Sequence, residues 1–443
     1  MGARLRRRPV PEGKGETRMT DLKQLIENTD GISDYKINEK RTLSTELFFV
    51  GRKLETARNT DVSDVSVTVY VDHDGARGES AFAVLKSMSE KEISEKLRAA
   101  VKRANLVFNK PYEIPSGGKE EYAADSSMKN YDGEELAEKI AEAVFSADTY
   151  ENGSLNATEI FVYDETVKVR NGKGVDKTSN SVRAMIETIP TWTTEKISVE
   201  LYEALNFTEF SAEEITEEIN SKMKEVRDRR TAVKPSAGVI DVVLRPKETE
   251  ELMETLLYGL SYGAVYSHSN VFKKGDKVQK EIKGDPLTVT VKAKIKGSRY
   301  SADFDEDGFT LKDKKIIDRG EVVGYYGSYR FGQYLGENES DVTGNVKCIE
   351  VDGGSLDEKK DLNRYLECVS LSGIQVDEYN DYIGGEIRLA YLHEGEKVTP
   401  VTGISMSGSL SAALGKIRLS AERTAREKYF GPTKVLLPDM NIV

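Results

Sequence analysis

One short stretch near the end of the sequence has the residue types of a zinc hydrolase. It reads LHEGEKV over 392–398, and in many zinc peptidases such a His-Glu pair opens a helix that carries a second His four residues after the first. Here that position is Lys397, and Gly395 would interrupt a helix. The preceding residues alternate as in a strand. We therefore interpret His393 and Glu394 as the end of a strand that enters a hairpin turn, not as zinc ligands.

A second stretch, DFDEDGFTLKDK, begins like a calcium-binding loop. Asp303, Asp305 and Asp307 occupy the first, third and fifth positions of such a loop. The twelfth position needs a bidentate Glu, but here it is Lys314. The flanking residues have the pattern of strands, whereas a calcium loop of this kind joins two helices. We therefore predict a β-turn at Asp307 and Gly308, not a metal site.

The chain offers few other groups for catalysis, since it contains three His and two Cys. We interpret His73 as an exposed turn residue and His268 as a hydrogen-bonded structural residue rather than a base. Cys348 and Cys368 form no CxxC pair. We therefore expect two buried thiols and no disulfide, as in a reducing cytoplasm.

Length, charge and hydropathy narrow the class of protein. At 443 residues the chain is long enough for two or three domains, and no run of 18 apolar residues predicts a membrane span. The first 18 residues carry six basic and two acidic side chains, a net +4, which leaves −16 for the rest of a chain of net charge −12. Such an acidic body disfavours direct binding of nucleic acid. We predict a cytoplasmic protein.

The order of helix and strand patterns predicts an α+β fold. We expect a disordered basic leader over 1–18, an N-terminal mixed α/β domain over 19–231 and a C-terminal β-rich domain over 238–443. In the C-terminal domain one helical pattern, 247–261, is followed by many short strand patterns. These strands predict a large antiparallel β-sheet or barrel that dominates the second half of the chain.

Turn residues place the hairpins of the N-terminal domain. We expect one hairpin to turn at 51–52 and the next at 74–75, where Asp-Gly favours a tight turn. Two further segments, 45–59 and 158–171, share the pattern Thr-Glu-Leu/Ile-Phe, and each reaches an Arg-Asn pair at which we expect a turn. This similarity suggests a duplicated hairpin-helix unit.

Three longer stretches carry a distributed pattern: ETLLYGLSYGAVYSHSNVFKKGDKV, KKIIDRGEVVGYYGSYRFGQYLG and YIGGEIRLAYLHEGEKVTPVTGISMSGSLSAAL. This pattern resembles the TldD/PmbA family, over nearly the whole chain after Met19 and most strongly from about 238 onward. The resemblance implies a two-subunit peptidase that processes or degrades small or unfolded peptides. In the TldD-like branch it implies zinc on a helix with H-E-x-x-x-H and a later Cys as third ligand. The TldE or PmbA branch lacks these ligands.

The resemblance also implies which positions would hold the zinc. Aligned on the flanking segments, the two His positions are Met253 and Tyr258, and Glu254 stands at the general-base position. The Cys position falls near Ile387. A thioether, a phenol and an alkyl chain do not supply the ligands of a catalytic zinc. Without the metal, Glu254 has no activated water to deprotonate, and we interpret it as a surface helical residue.

Three functions stay open. The leading prediction is a metal-free TldE/PmbA-like subunit, inactive alone, that forms a dimer or heterodimer with a TldD-like zinc subunit. An extended peptide would lie along a sheet edge, with Gly384, Gly385 and the strand 398–407 as the expected places of close backbone approach. One alternative is a stand-alone metallopeptidase that recruits His268 or Cys368 as a ligand. The other is a non-enzymatic, protein-binding regulator of the gyrase-modulator type.

Overall fold

The computed structural model describes residues 22–195 and 198–443. The predicted basic leader, 1–18, lies outside these residues. The fold is α+β, as the sequence predicts. Its helices are α1 (22–27), α2 (Glu90–Ala104), α3 (Gly133–Ser146), α4 (Ala212–Thr231), α5 (Pro246–Tyr258), α6 (Tyr262–Tyr266), α7 (Tyr329–Leu335), α8 (Glu358–Asp361) and α9 (Leu410–Lys416). In the described part of the chain, no helix has both the length and the apolar character needed to cross a membrane.

The first sheet is built from long strands. Its members are β1 (Asp34–Val50), β2 (Lys53–His73), β3 (Ala76–Ala83), β4 (Lys119–Ala123), β5 (Gly153–Asn171), β6 (Asp176–Thr193), β7 (Ser198–Glu200) and β8 (Glu203–Phe207). They pair in the order β3-β2-β1-β5-β6-β4, and β7 and β8 also pair with β6. Two long hairpins, β1-β2 and β5-β6, therefore lie side by side in this sheet.

Most of the turns in these hairpins lie where the sequence predicts them. The first hairpin turns at 51–52, as predicted. The turn at Asp74 and Gly75 has positive φ at both residues, 49° and 75°, which is the geometry that Asp-Gly favours. The predicted turn at Arg58 and Asn59 is wrong, because both residues lie inside β2. There the Arg58 guanidinium forms an ion pair with Glu46 of the neighbouring strand, so the pair is a cross-strand contact.

The second half of the chain supplies two further sheets. Their strands are β9 (Gly238–Leu244), β10 (Val289–Lys292), β11 (Lys314–Asp318), β12 (Glu321–Val322), β13 (Cys348–Val351), β14 (Arg364–Leu371), β15 (Gln375–Asp377), β16 (Tyr382–Glu394), β17 (Lys397–Val401), β18 (Ile404–Ser409), β19 (Arg418–Leu419), β20 (Arg423–Arg426), β21 (Tyr429–Pro432) and β22 (Val435–Ile442). One sheet has the order β12-β11-β10-β13-β21-β20 and is antiparallel except between β13 and β21. The predicted large, mainly antiparallel sheet is confirmed.

The other sheet closes into a ring. Its order is β14-β9-β22-β18-β16-β15, and β14 also pairs with β16. These pairings join β14, β9, β22, β18 and β16 in a closed five-stranded circuit, which is antiparallel except between β14 and β9. Closure removes free edges from these strands where they pair. The hairpin of β16 and β17 turns at 395–396, which confirms the predicted strand end at His393 and Glu394.

Contacts divide the described chain into two compact units. One contains 22–40, Ser63–Glu120 and Val167–Thr178, and the other contains Arg41–Val62, Glu121–Thr166 and Ser179–Val443. The first has its own apolar core, formed by α1, by residues of α2 such as Leu97 and by strand residues such as Val69. The larger unit holds one core under α3 and α4 and a second core around the ring. This grouping does not decide the predicted domains 19–231 and 238–443, which stay predictions.

Candidate functional site

The helix that carries the degenerate motif, α5, begins with Pro246 at its first turn and ends at Gly259. Pro suits a helix start because its fixed φ fits and the first N–H groups have no intrahelical partner. One face of α5 is apolar and enters the core around the ring; its buried residues are Leu252, Met253, Leu256 and Leu257. Each fully buried Leu contributes about 1.5–3 kcal/mol to stability. Packing therefore fixes the helix, and with it the motif positions.

The structure does not bring the predicted motif positions together as a set of metal ligands. Met253 and Ile387 are fully buried members of the same apolar core, whereas Tyr258 is 73% exposed. Within residues 22–195 and 198–443, no group of three or more His, Cys, Asp or Glu side chains is placed to hold a metal ion. The donor chemistry and the geometry at these positions do not fit a catalytic zinc.

Glu254, at the general-base position, has a cation of the chain itself as its partner. The Lys428 ammonium donates to Glu254 Oε1 at 2.5 Å. Lys428 comes from the turn between β20 and β21 and lies 5.0 Å from the Tyr300 ring centroid. Burial alone would lower the pKa of Lys428, but the Glu254 carboxylate outweighs this effect and raises it. Glu254 is thus a partly exposed helical residue, and the structure adds its ion-pair partner, which the sequence did not indicate.

One turn earlier on the same side of α5, Glu250 holds a proton near neutral pH. Burial, followed by the Glu254 and Glu427 carboxylates, raises the pKa of Glu250 to about 7. Glu427 precedes Lys428 in the β20-β21 turn, has a positive φ of 47° and accepts a hydrogen bond from the Asn206 amide at 2.9 Å. The arrangement joins three carboxylates to one ammonium. It can exchange a proton, but it resembles an internal ion-pair cluster more than a hydrolytic site.

A second charged cluster lies at the other end of α5. Arg245 donates from Nε to Glu367 Oε1 and from Nη1 to Glu225 Oε1, both at 2.9 Å. His393 Nε2 lies 3.1 Å from Glu367 Oε2, and its ring stacks on Tyr365 at 4.3 Å. Burial alone would raise the pKa of Glu367, but Arg245 outweighs it and lowers that pKa. The sequence predicts the strand around His393, and the structure adds a carboxylate partner from β14.

Glu248, in the first turn of α5, is a buried acid without such a partner. It is 2% exposed, and its Oε2 has no hydrogen-bond partner among the described residues. Burial raises the pKa of Glu248 to about 7. A buried ionised carboxylate is costly, so the group is held largely protonated up to neutral pH.

The residues of the stand-alone peptidase alternative, Cys368 and His268, differ in their exposure to solvent. Cys368 is fully buried in the ring core, and burial raises its pKa far above the usual value for a thiol. His268 is exposed, with a positive φ of 58°, just after α6. The prediction that His73 is exposed is wrong, because its side chain is 12% exposed and packs on Phe108. Its Nε2 lies 3.1 Å from the Val107 carbonyl oxygen, which fixes the ring.

Two other features that the sequence singles out have structural roles: the two cysteines and the calcium-loop-like stretch that contains Asp305. Both cysteines are buried and unpaired, as predicted. Asp305 Oδ1 accepts hydrogen bonds from the N–H groups of Asp307 and Phe309, and Oδ2 accepts one from Asn345. Phe304 and Thr310 form a bridge across this turn, and Gly308 has a φ of 80°. The predicted turn at Asp307 and Gly308 is confirmed, and its carboxylate serves the backbone.

The predicted peptide edge at Gly384 and Gly385 is wrong. Gly384 pairs with Gln375 on one side and with Ser407 on the other, so β16 has no free edge there. A Cβ on Gly384 would lie 2.2 Å from Tyr382 Oη, which shows that the close approach is to the protein itself. The predicted single strand 398–407 is also wrong, because Gly403, with a φ of 70°, separates β17 from β18.

Several solved structures share this fold over almost the full chain. TldE from Thermococcus kodakarensis is 15% identical, with a TM-score of 0.77 over 97% of this chain and 99% of that chain. A candidate modulator of a DNA gyrase from Thermotoga maritima is 16% identical, with a TM-score of 0.75 over 97% and 100%. A further candidate gyrase modulator, from Bacteroides thetaiotaomicron, is 13% identical, with a TM-score of 0.77 over 98% and 99%. At these identities the likeness concerns the fold alone.

A sequence model of a protein family gives the second line of comparison. Residues 237–443 match the model described as the PmbA/TldA metallopeptidase C-terminal domain. No curated protein matches the chain in sequence. The match covers the ring, the neighbouring sheet and α5, which are the elements that hold the motif positions. Over this C-terminal part the sequence is therefore similar to the TldD/PmbA family.

Proposed function

We propose that this chain is a non-catalytic, TldE-like subunit of a TldD/TldE-type zinc peptidase complex. The observation that carries the proposal is the state of α5 at the motif positions. Met253 is part of the apolar core, Tyr258 is exposed and Glu254 forms an ion pair with Lys428. In this proposal zinc and the general base belong to a TldD-like partner, and this chain supplies no cofactor of its own.

The internal ion pair supports the proposal independently of the missing ligands. A general base next to zinc must be free to take a proton from the metal-bound water. The Glu254 carboxylate instead accepts a hydrogen bond from an ammonium that is itself positioned over an aromatic ring. Restoring His at two positions would therefore not restore the electrostatics of a metallopeptidase. In a complex, the role of this chain is to complete the enclosure around the partner's active site and the peptide.

The test is co-expression of this chain with a TldD-like chain that carries H-E-x-x-x-H and a later Cys. We expect a complex of the two chains, seen by native mass spectrometry, with zinc only in the TldD-like subunit. Cleavage of an unfolded peptide should require both chains and should be lost with a chelator. Replacing the motif Glu of the partner should abolish cleavage, whereas Glu254→Gln in this chain should leave it unchanged.

The stand-alone alternative makes the opposite prediction. It requires about one equivalent of zinc bound by the isolated chain and chelator-sensitive cleavage of a peptide without any partner. That result would overturn the proposal. Cys368 is fully buried, which does not favour its recruitment as a metal ligand in this alternative.

The gyrase-modulator alternative is suggested by the names of two proteins of similar fold. The acidic body, at −16 outside the first 18 residues, favours protein contacts over DNA contacts in that case as well. The experiment is a test of whether this chain captures gyrase in high salt when no TldD-like subunit is present. Capture of gyrase, together with no effect of this chain on peptide cleavage, would support the gyrase-modulator alternative over the peptidase subunit.

A further inference from the structure

The turn between β15 and β16 contains a carboxylate that the fold leaves without a cation. Glu378 Oε1 is buried and has no hydrogen-bond partner, and within the described residues Glu378 forms no ion pair. Its side chain lies against the end of α5, since a Cβ placed on Gly259 would be 3.1 Å from Glu378 Oε2. A buried acceptor without a partner costs free energy, so its retention calls for an explanation.

The other acids of this turn are satisfied by the protein. Asp377 Oδ1 accepts hydrogen bonds from the N–H groups of Tyr379 and Asn380. Asp381 accepts hydrogen bonds from the hydroxyl groups of Ser409 and Ser411. Glu378 is therefore the exception in a turn whose geometry is otherwise well determined.

The position of the turn is also fixed from the side of α5. Glu251 Oε2 accepts a hydrogen bond from the Ile374 N–H at 3.1 Å, which ties the start of β15 to the helix. The Tyr379 hydroxyl donates to the Ser269 carbonyl oxygen at 2.9 Å, which ties the turn to the residues after α6. Glu378 is thus held in place by its neighbours and does not need its own carboxylate for positioning.

Two negative features converge at this point. The last carbonyl groups of a helix carry partial negative charge, and α5 is long enough, at 13 residues, for this effect to be felt in its last turn. The Glu378 carboxylate lies at that end, where a cation would be favourable and an anion is not. Burial raises the pKa of Glu378 to about 7, and no nearby cation of the chain counteracts it.

Exposed tyrosines adjoin, in the chain, the two residues that meet here, Gly259 and Glu378. Tyr258 is the last residue of α5 and is 73% exposed, and Tyr379 directly follows Glu378 and is 71% exposed. A carboxylate together with tyrosine rings is the chemistry that recognises ammonium and guanidinium groups, through charge-assisted hydrogen bonds and cation–π contacts. Exposed tyrosines are also enriched where proteins bind other chains.

We propose that Glu378, the C-terminal end of α5 and the rings of Tyr258 and Tyr379 form a subsite for a basic side chain of a bound peptide, with arginine preferred. A metal ion is a poorer occupant, because it would need several oxygen ligands, and among the described residues no group of three or more His, Cys, Asp or Glu side chains is placed to hold one. The planar guanidinium can bind the carboxylate and stack on a ring at the same time. The subsite is a property of this chain and does not depend on a zinc-bearing partner.

The experiment measures binding of acetyl-Ala-Arg-Ala-amide to the full chain by isothermal titration calorimetry at pH 8. The matched ligand has citrulline in place of arginine, which keeps the shape and removes the charge. We expect the arginine peptide to bind about tenfold more tightly than the citrulline peptide, as for the loss of one charge-assisted hydrogen bond. The variant Glu378→Gln should lose that preference.

A matched control separates this site from general attraction to an acidic protein. Glu396→Gln removes the same charge from the exposed turn of the β16-β17 hairpin, and it should keep the preference for arginine. A second variant, Tyr379→Leu, should weaken binding of the arginine peptide several-fold while Glu378 is still present. Equal binding of the two peptides by the wild-type chain, or an unchanged preference in Glu378→Gln, would overturn the proposal. Neither result would bear on pairing with a zinc subunit.

Discussion

The two ends of α5 differ in whether nearby carboxylates have a cation of the chain as partner. At the N-terminal end, Arg245 donates to both Glu225 and Glu367, so each acid has a cation of the chain as partner. At the C-terminal end, Glu378 has no such cation in the described part of the molecule. The cluster of Arg245, Glu225 and Glu367 is therefore self-sufficient, and its charges hold elements together. The C-terminal end would gain a cation only from a bound ligand. A binding surface differs from a structural one in this way.

The largest expected effect on stability comes from removing Arg245 from its cluster with Glu225 and Glu367. Arg245→Met removes the cation that Glu225 and Glu367 share. Lys222 stays next to Glu225 and His393 next to Glu367, each at 3.1 Å, so we expect a loss of about 3 kcal/mol in the free energy of unfolding, the lower end of the range for a broken buried ion pair. Urea denaturation measures the loss, and hydrogen exchange of β9 and β14 should locate it. The control is Arg364→Ala, whose ion pair with Glu394 is exposed and should contribute about 1 kcal/mol or less. Equal effects of the two variants would contradict this interpretation of the cluster.

The second prediction concerns Glu248, which lies at the same end but has no partner. Its pKa is about 7 in the folded protein, above the ordinary value of 4.5. Between these two values the folded state binds more protons than the unfolded state, so stability falls as the pH rises from about 4.5 to about 7. Glu248→Gln removes this loss. Relative to the wild type, it should gain on the order of 3 kcal/mol between pH 4 and pH 8.

Chemical denaturation at both pH values measures this difference. Glu396→Gln, in the exposed turn, is the matched control and should run parallel to the wild type. A difference between Glu248→Gln and the wild type that does not change with pH would show that Glu248 is not held protonated by burial.

At the C-terminal end of α5 the expected effect on stability has the opposite sign to that of Arg245→Met. Without ligand at pH 8, Glu378→Gln should stabilise the protein by about 1 kcal/mol, because it replaces an unpaired carboxylate by a neutral amide. The expected stabilisation is small because the Glu378 side chain is partly open to solvent. Thermal unfolding of the ligand-free chain measures the effect. A clear loss of stability would mean that Glu378 has an internal partner, and the contrast between the two ends of α5 would disappear.

The smallest expected effect lies between the two ends, at Glu254. Its side chain and that of Lys428 are 38% and 26% exposed, so their ion pair should contribute about 0.5 kcal/mol. A double-mutant cycle with Glu254→Gln and Lys428→Met measures the coupling. A coupling of several kcal/mol would show that the ion pair is a major structural element and not a weak surface contact.

Local patterns in the sequence were sufficient for much of the fold. The alternation before His393, the Asp-Gly pair at 74–75 and the apolar spacing in 247–261 each predict an element that the structure contains. These signals are local, because side-chain periodicity and turn conformation depend on a few consecutive residues. The turn predicted at Arg58 failed because its true role is a contact with another strand, which no local pattern reveals.

The candidate site was predictable only in part, for the same reason. The residue types at Met253, Tyr258 and Ile387 are visible in the sequence once the motif is aligned. The partner of Glu254 is Lys428, which lies 174 positions away, and nothing near either residue signals the pair. Glu378 could not be found at all from its neighbours, since its lack of a partner follows from where the fold places the end of α5.

Closure of the ring has a consequence for how the protein is made. Leu244 at the end of β9 pairs with Val435 at the start of β22, so two neighbours in space are separated by most of the C-terminal domain in sequence. During synthesis, β9 leaves the ribosome long before β22 is made. Until then the apolar residues of β9 cannot pair with β22. Contacts of such long range form slowly. The nascent chain should therefore depend on chaperones during synthesis more than its finished, edge-free ring would suggest.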